Sequence, residues 1–144
     1  MAFLALDKIS KRFGAIVIAD RVDLALEQGE ALGIIGPNGA GKTTLFGIMT
    51  GTVAPDAGRV LYAGADITRL PPPRRCAIGI ARSFQIPQPF GGVTVFENLV
   101  VAAAFGGGQR ERDAYGRCMD ILAQCGLADE ANRHASIRLS AGCR

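Results

Sequence analysis

The most informative part of this sequence is the run Gly36-Pro37-Asn38-Gly39-Ala40-Gly41-Lys42-Thr43-Thr44. It fits the phosphate-binding loop pattern G-x-x-x-x-G-K-[ST] at every fixed position. Glycines let the backbone curl so that successive N–H groups point at anionic oxygens, and the following helix adds its positive end. Lys42 supplies a charge for the outer phosphates, and the Thr43 hydroxyl is placed to ligate Mg²⁺. This run therefore predicts a site for a nucleoside triphosphate.

The residues on both sides of the loop support that interpretation. Apolar residues 31–35 before the loop predict a buried strand, and residues 45–49 after it predict an apolar helix. At this composition, chance alone predicts about 0.003 matches to the pattern. The alternative, a glycine-rich turn with an incidental lysine, explains neither the flanking strand nor the flanking helix.

Composition excludes several other classes of protein. The 144 residues suffice for one domain, and the 16 basic and 13 acidic residues are scattered, which argues against a partner nucleic acid. The longest apolar run, 99–105, is far shorter than the roughly 20 residues that span a bilayer. The amino terminus lacks the layout of a signal peptide. We expect a chain that stays in the cytoplasm.

The cysteines indicate neither a metal site nor a disulfide scaffold. Cys76, Cys118, Cys125 and Cys143 form no C-x-x-C pair, and the single histidine, His134, lies in a polar stretch. We expect the cysteines to be reduced and mostly buried, and the histidine to be solvated.

The segment before the loop predicts an antiparallel pair of strands. Residues 2–9 and 22–26 carry strand patterns and are joined by a short connection that contains Phe13. An exposed ring beside a nucleotide site can stack on adenine. A ring that closes the edge of a small sheet is an equal alternative.

Beyond the loop helix, which should end near Thr50-Gly51, the pattern continues as α/β. Strands are predicted at 59–62 and 80–84, with a proline-initiated short helix at 74–78 between them. The second of these strands runs into Gln85. Residues 86–92, with two prolines and two glycines, predict a hinge.

After the hinge the sequence predicts helices. Thr94 and Glu97 form a capping box, and the helix that they begin should stop at 106–108. A second helix is expected over 109–124, with Tyr115, Met119 and Leu122 on its apolar stripe. We therefore expect two domains: an α/β nucleotide-binding core at 1–90, and a helical subdomain at 91–144.

Four separated features resemble the ATP-binding subunits of ABC transporters. They are Phe13, the loop 36–43, Gln85 at a strand end, and Leu139-Ser140-Ala141-Gly142. Within that family, residues 77–85 and 93–102 look like the branched-chain amino-acid uptake group. The resemblance implies an ABC-type P-loop NTPase fold of the α/β class, with an amino-terminal antiparallel β portion and a helical subdomain.

The resemblance also implies roles for particular residues. Phe13 would stack on adenine, residues 36–44 would hold the triphosphate of ATP, and Thr43 with Gln85 would contact Mg²⁺ and the attacking water. The segment after Gln85 would touch a membrane permease subunit on the inner face of the cell membrane. Ser140 and Gly142 would contact the γ-phosphate bound by a second ATP-binding subunit, in a homodimer or a heterodimer.

Two departures from the family pattern bear on catalysis. The signature L-S-G-G-Q has Ala141 and Cys143 in its third and fifth places here. Downstream of the loop no run of four apolar residues ends in an acid, so the Walker B aspartate is not found, and neither are the catalytic glutamate and the switch histidine. We expect the amino-terminal portion of an importer subunit, its domain lacking the carboxy-terminal half, with ATP binding retained and turnover lost. The alternatives are a catalytically inactive nucleotide-binding fragment and an ABC-type ATPase that is not attached to a transporter.

Overall fold

The computed structural model describes residues 2–84 and 86–135. The backbone packs into two compact units that divide between Arg75 and Cys76. This packing boundary lies 15 residues before position 90, where the sequence places the end of the nucleotide-binding core. The functional division at 90 stays a prediction.

The first unit contains a four-stranded antiparallel sheet with the order β2-β1-β3-β4. Its strands are β1 (Leu4–Phe13), β2 (Ile16–Leu26), β3 (Ala57–Tyr62) and β4 (Ala65–Asp66). The predicted antiparallel portion is therefore confirmed. The strands β1 and β2 are longer than the sequence predicted, because the chain turns only at Gly14, where a φ of 58° suits glycine.

The first unit holds one complete helix, and the division between the units falls within a second, short helix. The helix α1 (Lys42–Thr50) follows the phosphate loop and ends at Gly51, which adopts the left-handed conformation that the sequence predicts for a helix end. The predicted short helix is present as α2 (Pro72–Ala77), although it begins within the proline run, two residues before the predicted start at Arg74.

Two predicted strands, 31–35 and 80–84, are wrong in the described structure. Both segments have no regular secondary structure, and Ile35 is 96% exposed. A strand needs a neighbour whose N–H and C=O groups pair with its own. Within residues 2–84 and 86–135 no strand pairs with either segment, so the neighbour that a strand requires is missing there.

The second unit is a helical hairpin. The helices α3 (Val95–Phe105) and α4 (Glu111–Gln124) pack together and are followed by a 3₁₀ turn, Ala128–Glu130. The capping box is confirmed: Thr94 Oγ1 accepts from the Glu97 amide at 3.1 Å, and Glu97 Oε2 accepts from the Thr94 amide at 2.6 Å. These hydrogen bonds to Thr94 hold the pKa of the Glu97 carboxyl below its usual value. The local start of α3 is thus fixed by residues within one turn.

The predicted apolar stripe of α4 needs correction. Tyr115 and Met119 are exposed, and the buried face consists of Ala114, Cys118 and Leu122. Small side chains at the first two of these positions let α4 approach α3 closely. The prediction that Leu122 is buried is correct. At the other two positions the buried residue is the one immediately before the predicted residue.

The cysteines and the histidine give mixed outcomes. The three described cysteines are free thiols, but only Cys118 is buried: Cys76 is half-buried and Cys125 is exposed, so the expectation of mostly buried cysteines is wrong. Cys143 lies outside the described residues. His134 is exposed, as predicted. In the described part of the chain, no helix combines the length and apolar character needed to traverse a bilayer.

Candidate phosphate-binding site

The loop before α1 presents a set of backbone amides that are unpaired within residues 2–84 and 86–135. Gly39 and Gly41 adopt φ values of 84° and 83°, which curl the chain into the first turn of the helix. Gly41 is the residue that precedes α1, and no described side chain caps the helix. Among the described residues, none accepts a hydrogen bond from the amides of Gly39 or of residues 41–44. Such converging amides at a helix start form an anion site.

Lys42 lies across this loop. Its Nζ donates to the carbonyl oxygens of Gly36 and Pro37 at 2.6 and 2.7 Å. No carboxylate among the described residues pairs with this ammonium. The charge is therefore held at the loop by two neutral carbonyls, which a phosphate oxygen can replace as the stronger, charge-assisted acceptor.

The β1–β2 hairpin contacts the same loop. A Cβ atom on Gly41 would lie 2.7 Å from Cγ2 and 3.0 Å from the carbonyl oxygen of Ile18, so strand β2 touches the loop where only glycine fits. Phe13, at the end of the hairpin, is 51% exposed, and Lys11 Nζ lies 5.3 Å from its ring centroid. Stacking on a base and closing the edge of the sheet both stay predictions for this ring.

The residues present fit a magnesium ion that is shared with phosphate. The Thr43 side chain, in the first turn of α1, is exposed, and its hydroxyl bonds to no described residue. The described residues contain no cluster of three or more His, Cys, Asp or Glu side chains that could hold a metal without a ligand. Mg²⁺ commonly takes one or two protein oxygens and fills its octahedron with phosphate and water. The single Thr43 hydroxyl beside an anion site matches that coordination preference.

Three predicted site residues cannot be placed. Gln85, Ser140 and Gly142 lie outside the described residues, as do Ala141 and Cys143. Their roles remain predictions from the resemblance. The structure brings together the loop 36–44 and the hairpin that carries Phe13.

The contact of Asp56 with the β1–β2 hairpin was not predicted from the sequence. The carboxylate of Asp56 accepts from Lys11 Nζ and from the Arg12 amide, each at 2.7 Å, and these bonds lower the pKa of Asp56. They tie the hairpin arm that ends in Phe13 to the turn before β3. Asp56 reads only as a turn residue in the sequence, because its partners lie more than 40 residues away.

The match to known proteins identifies the family. Residues 19–144 fit the family model described as ABC transporter. The chain belongs to the ABC transporter family. The resemblance drawn from the sequence and the ABC-type P-loop fold are thereby confirmed.

Three similar proteins illustrate how far this ABC transporter chain extends. A probable branched-chain amino acid transport ATP-binding protein LivG of Archaeoglobus fulgidus is 42% identical over 102 residues, which are 71% of this chain and 40% of that protein. The lipoprotein-releasing system ATP-binding protein LolD of Bacteroides thetaiotaomicron is 37% identical over 142 residues, and the match covers 96% of this chain and 64% of that protein. A crystal structure of an ATP-binding cassette of an ABC transporter in its ADP conformation is 32% identical, with a TM-score of 0.76. The match covers 92% of this chain and 57% of that chain. The chain thus spans about half the length of these relatives.

Proposed function

We propose that this chain is the nucleotide-binding part of the ATP-binding subunit of an ABC importer. The observation that carries the proposal is the set of amides at the start of α1 that no described residue pairs with, together with Lys42, which has no acidic partner in the described part of the chain. A dense anion such as a triphosphate satisfies those amides and that ammonium together. In the complete protein, ATP binding and hydrolysis would drive movement of the attached membrane subunits.

Each part of the site has a role in this proposal. Residues 36–44 hold the phosphates, and the exposed ring of Phe13 receives the adenine. Thr43, with Gln85, holds Mg²⁺, which supplies charge neutralisation on the phosphate oxygens. Ser140 and Gly142 reach the nucleotide of a second ATP-binding subunit. Hydrolysis belongs to the complete domain.

The Phe13→Ala variant tests the base-stacking role. We expect it to weaken binding of both ATP and AMP about tenfold, because a lost aromatic stack costs about 1–3 kcal/mol whatever the number of phosphates. Calorimetric titration of each nucleotide measures the effect. Phe13→Trp should retain affinity.

Val17→Ala is the matched control. Val17 is exposed on the same hairpin and pairs with Arg12, one position away from the pair Phe13–Ile16, so its side chain lies on the other face. It should bind both nucleotides as the wild type does. If Phe13→Ala binds ATP normally, the ring closes the hairpin and does not stack on the base.

Transport of branched-chain or related amino acids is the finer part of the proposal. It rests on the likeness to LivG, whereas the likeness to LolD supports an alternative cargo. In either case we place the chain in the cytoplasm, peripheral on the inner face of the membrane, with permease subunits as partners. Substrate selection would lie in other subunits.

The segment after Gln85 suits contact with a permease. Ile86 and Phe90 are 68% and 61% exposed. Asn98 fixes the backbone beneath: its Oδ1 accepts from the Phe90 amide at 2.8 Å, and its Nδ2 donates to the Phe90 carbonyl at 3.3 Å. The amide thus clamps the main chain of Phe90 to α3 while the ring stays exposed. Exposed apolar side chains on a fixed backbone are typical of interaction sites.

Co-purification from solubilised membranes tests this partner. We expect the wild-type protein to retain permease subunits and the double variant Ile86→Ser/Phe90→Ser to lose most of them. Ile16→Ser, which changes an equally exposed side chain in the first unit, should retain them. Recovery of no permease by the wild type would favour an ABC-type ATPase that works away from transporters. Phosphate release abolished by Lys42→Ala would count against an inactive nucleotide-binding fragment.

A further inference from the structure

Arg75 is a buried cation that the phosphate site does not use. Its side chain is 1% exposed, and it forms no ion pair with a carboxylate of the described chain. Its partners among the described residues are all backbone carbonyls: Nη1 donates to Ile48 and Met49 at 2.6 and 2.8 Å, Nε to Leu70 at 2.8 Å, and Nη2 to Thr68 at 2.8 Å. Burial lowers the pKa of Arg75, but a guanidinium stays charged in proteins.

These carbonyls join α1 to the sheet. Ile48 and Met49 lie in the last turn of α1, the helix whose first turn bears the phosphate loop. The Thr68 side chain accepts from the amide of Val60, which lies in β3. The guanidinium therefore forms a bridge from the sheet, through Thr68, to the carboxyl end of α1.

The backbone packs closely against the guanidinium of Arg75. A Cβ atom on Gly51, the residue that ends α1, would lie 2.9 Å from Nε of Arg75. A positive charge at this end also complements the helix dipole, whose negative pole lies at the last carbonyls. Burying a charge without a carboxylate partner costs free energy, and apolar residues in its place often stabilise a core equally well. What the guanidinium adds is a planar fork of donors with fixed directions.

We infer that Arg75 is a positioning residue for the phosphate loop. By fixing the carboxyl end of α1 to the sheet, it fixes the direction in which the amino end presents its unpaired amides. The helix has nine residues and is about 13 Å long, so a small tilt at one end displaces the amides at the other. The inference rests on the proposed function, because it concerns how firmly the phosphates of ATP are held.

The test compares ATP with AMP in the full-length polypeptide that carries this sequence. We expect Arg75→Met to raise the Kd of MgATP about tenfold and that of AMP less than about twofold, since misaligned amides weaken contacts to the outer phosphates. Arg75→Lys should recover part of the ATP affinity, because an ammonium keeps the charge but lacks the fork that spans four carbonyls. Arg74→Met is the matched control: it removes an exposed arginine of the same helix and should change neither Kd.

Each other outcome has a definite meaning. A folded Arg75→Met protein that loses ATP and AMP affinity equally, or loses neither, overturns the positioning role and leaves Arg75 as a packing residue. If the methionine variant does not fold, Arg75→Lys carries the test, and a wild-type ratio of the two Kd values in it overturns the inference. If the wild-type protein binds no ATP, the proposed function fails, and the inference about Arg75 fails with it.

Discussion

The Lys42→Ala variant is expected to bind MgATP about a hundredfold more weakly than the wild type, a loss of about 3 kcal/mol. The ammonium lies at the loop on two neutral carbonyls, without an acidic partner in the described chain, so a phosphate replaces neutral acceptors and competes with no carboxylate. Calorimetric titration of MgATP, with phosphate release followed in the same samples, measures the effect.

Lys8→Ala is the control for net charge. Lys8 is exposed, and no described residue pairs with its ammonium, so this variant removes the same charge elsewhere on the first unit. It should bind MgATP as the wild type does. AMP should distinguish the variants further, because Lys42 is placed for the outer phosphates and its removal should cost AMP little. An equal loss in both lysine variants would contradict a specific role for Lys42.

Wild-type binding without phosphate release would separate two of the proposed roles. Saturable binding that is lost in Lys42→Ala shows that the loop is formed and selective for phosphate. If no phosphate appears in the wild-type samples, the 144-residue chain acts as a nucleotide-binding element without turnover. If phosphate appears and disappears with Lys42, the chain hydrolyses ATP and the inactive alternative is wrong.

The features that the sequence predicted well are determined within a few residues. The loop 36–44 and the left-handed end of α1 at Gly51 follow from glycine conformation. The box between Thr94 and Glu97 follows from two side chains that reach amides in the same turn. In each case the energetic reason lies in neighbouring positions, so the pattern of residue types suffices.

The features that could not be predicted from the sequence depend on partners that are distant along the chain. The apolar segments 31–35 and 80–84 have strand composition, but a strand forms only where a neighbour supplies the pairing, and composition does not show the neighbour. Nothing in the sequence distinguishes Arg75 from its neighbour Arg74, because two of its four carbonyl partners lie more than 20 residues away. Periodicity alone placed Tyr115 in the core, although the close approach of α3 and α4 selects smaller residues.

The Gly41→Ala variant is the second change with a large expected effect. At a φ of 83° an L-residue is strained, and the added Cβ would lie 3.0 Å from the Ile18 carbonyl oxygen, which belongs to a paired strand and yields little. The loop must then move away from β2 and take its amides with it. We expect a cost of about 2 kcal/mol in MgATP binding, equivalent to an affinity about 30-fold weaker.

Gly39→Ala separates backbone strain from displacement of the loop. Its φ of 84° is nearly that of Gly41, but a Cβ there would have no neighbour within 4 Å. It should therefore weaken MgATP binding only a few-fold, as expected from a strain of about 1 kcal/mol. The double variant Gly41→Ala/Ile18→Ala removes the Cγ2 contact at 2.7 Å but leaves the carbonyl, so it should recover only part of the loss. Equal losses in the two glycine variants would mean that strand β2 does not set the position of the phosphate loop, and that the close approach of Ile18 has no part in binding.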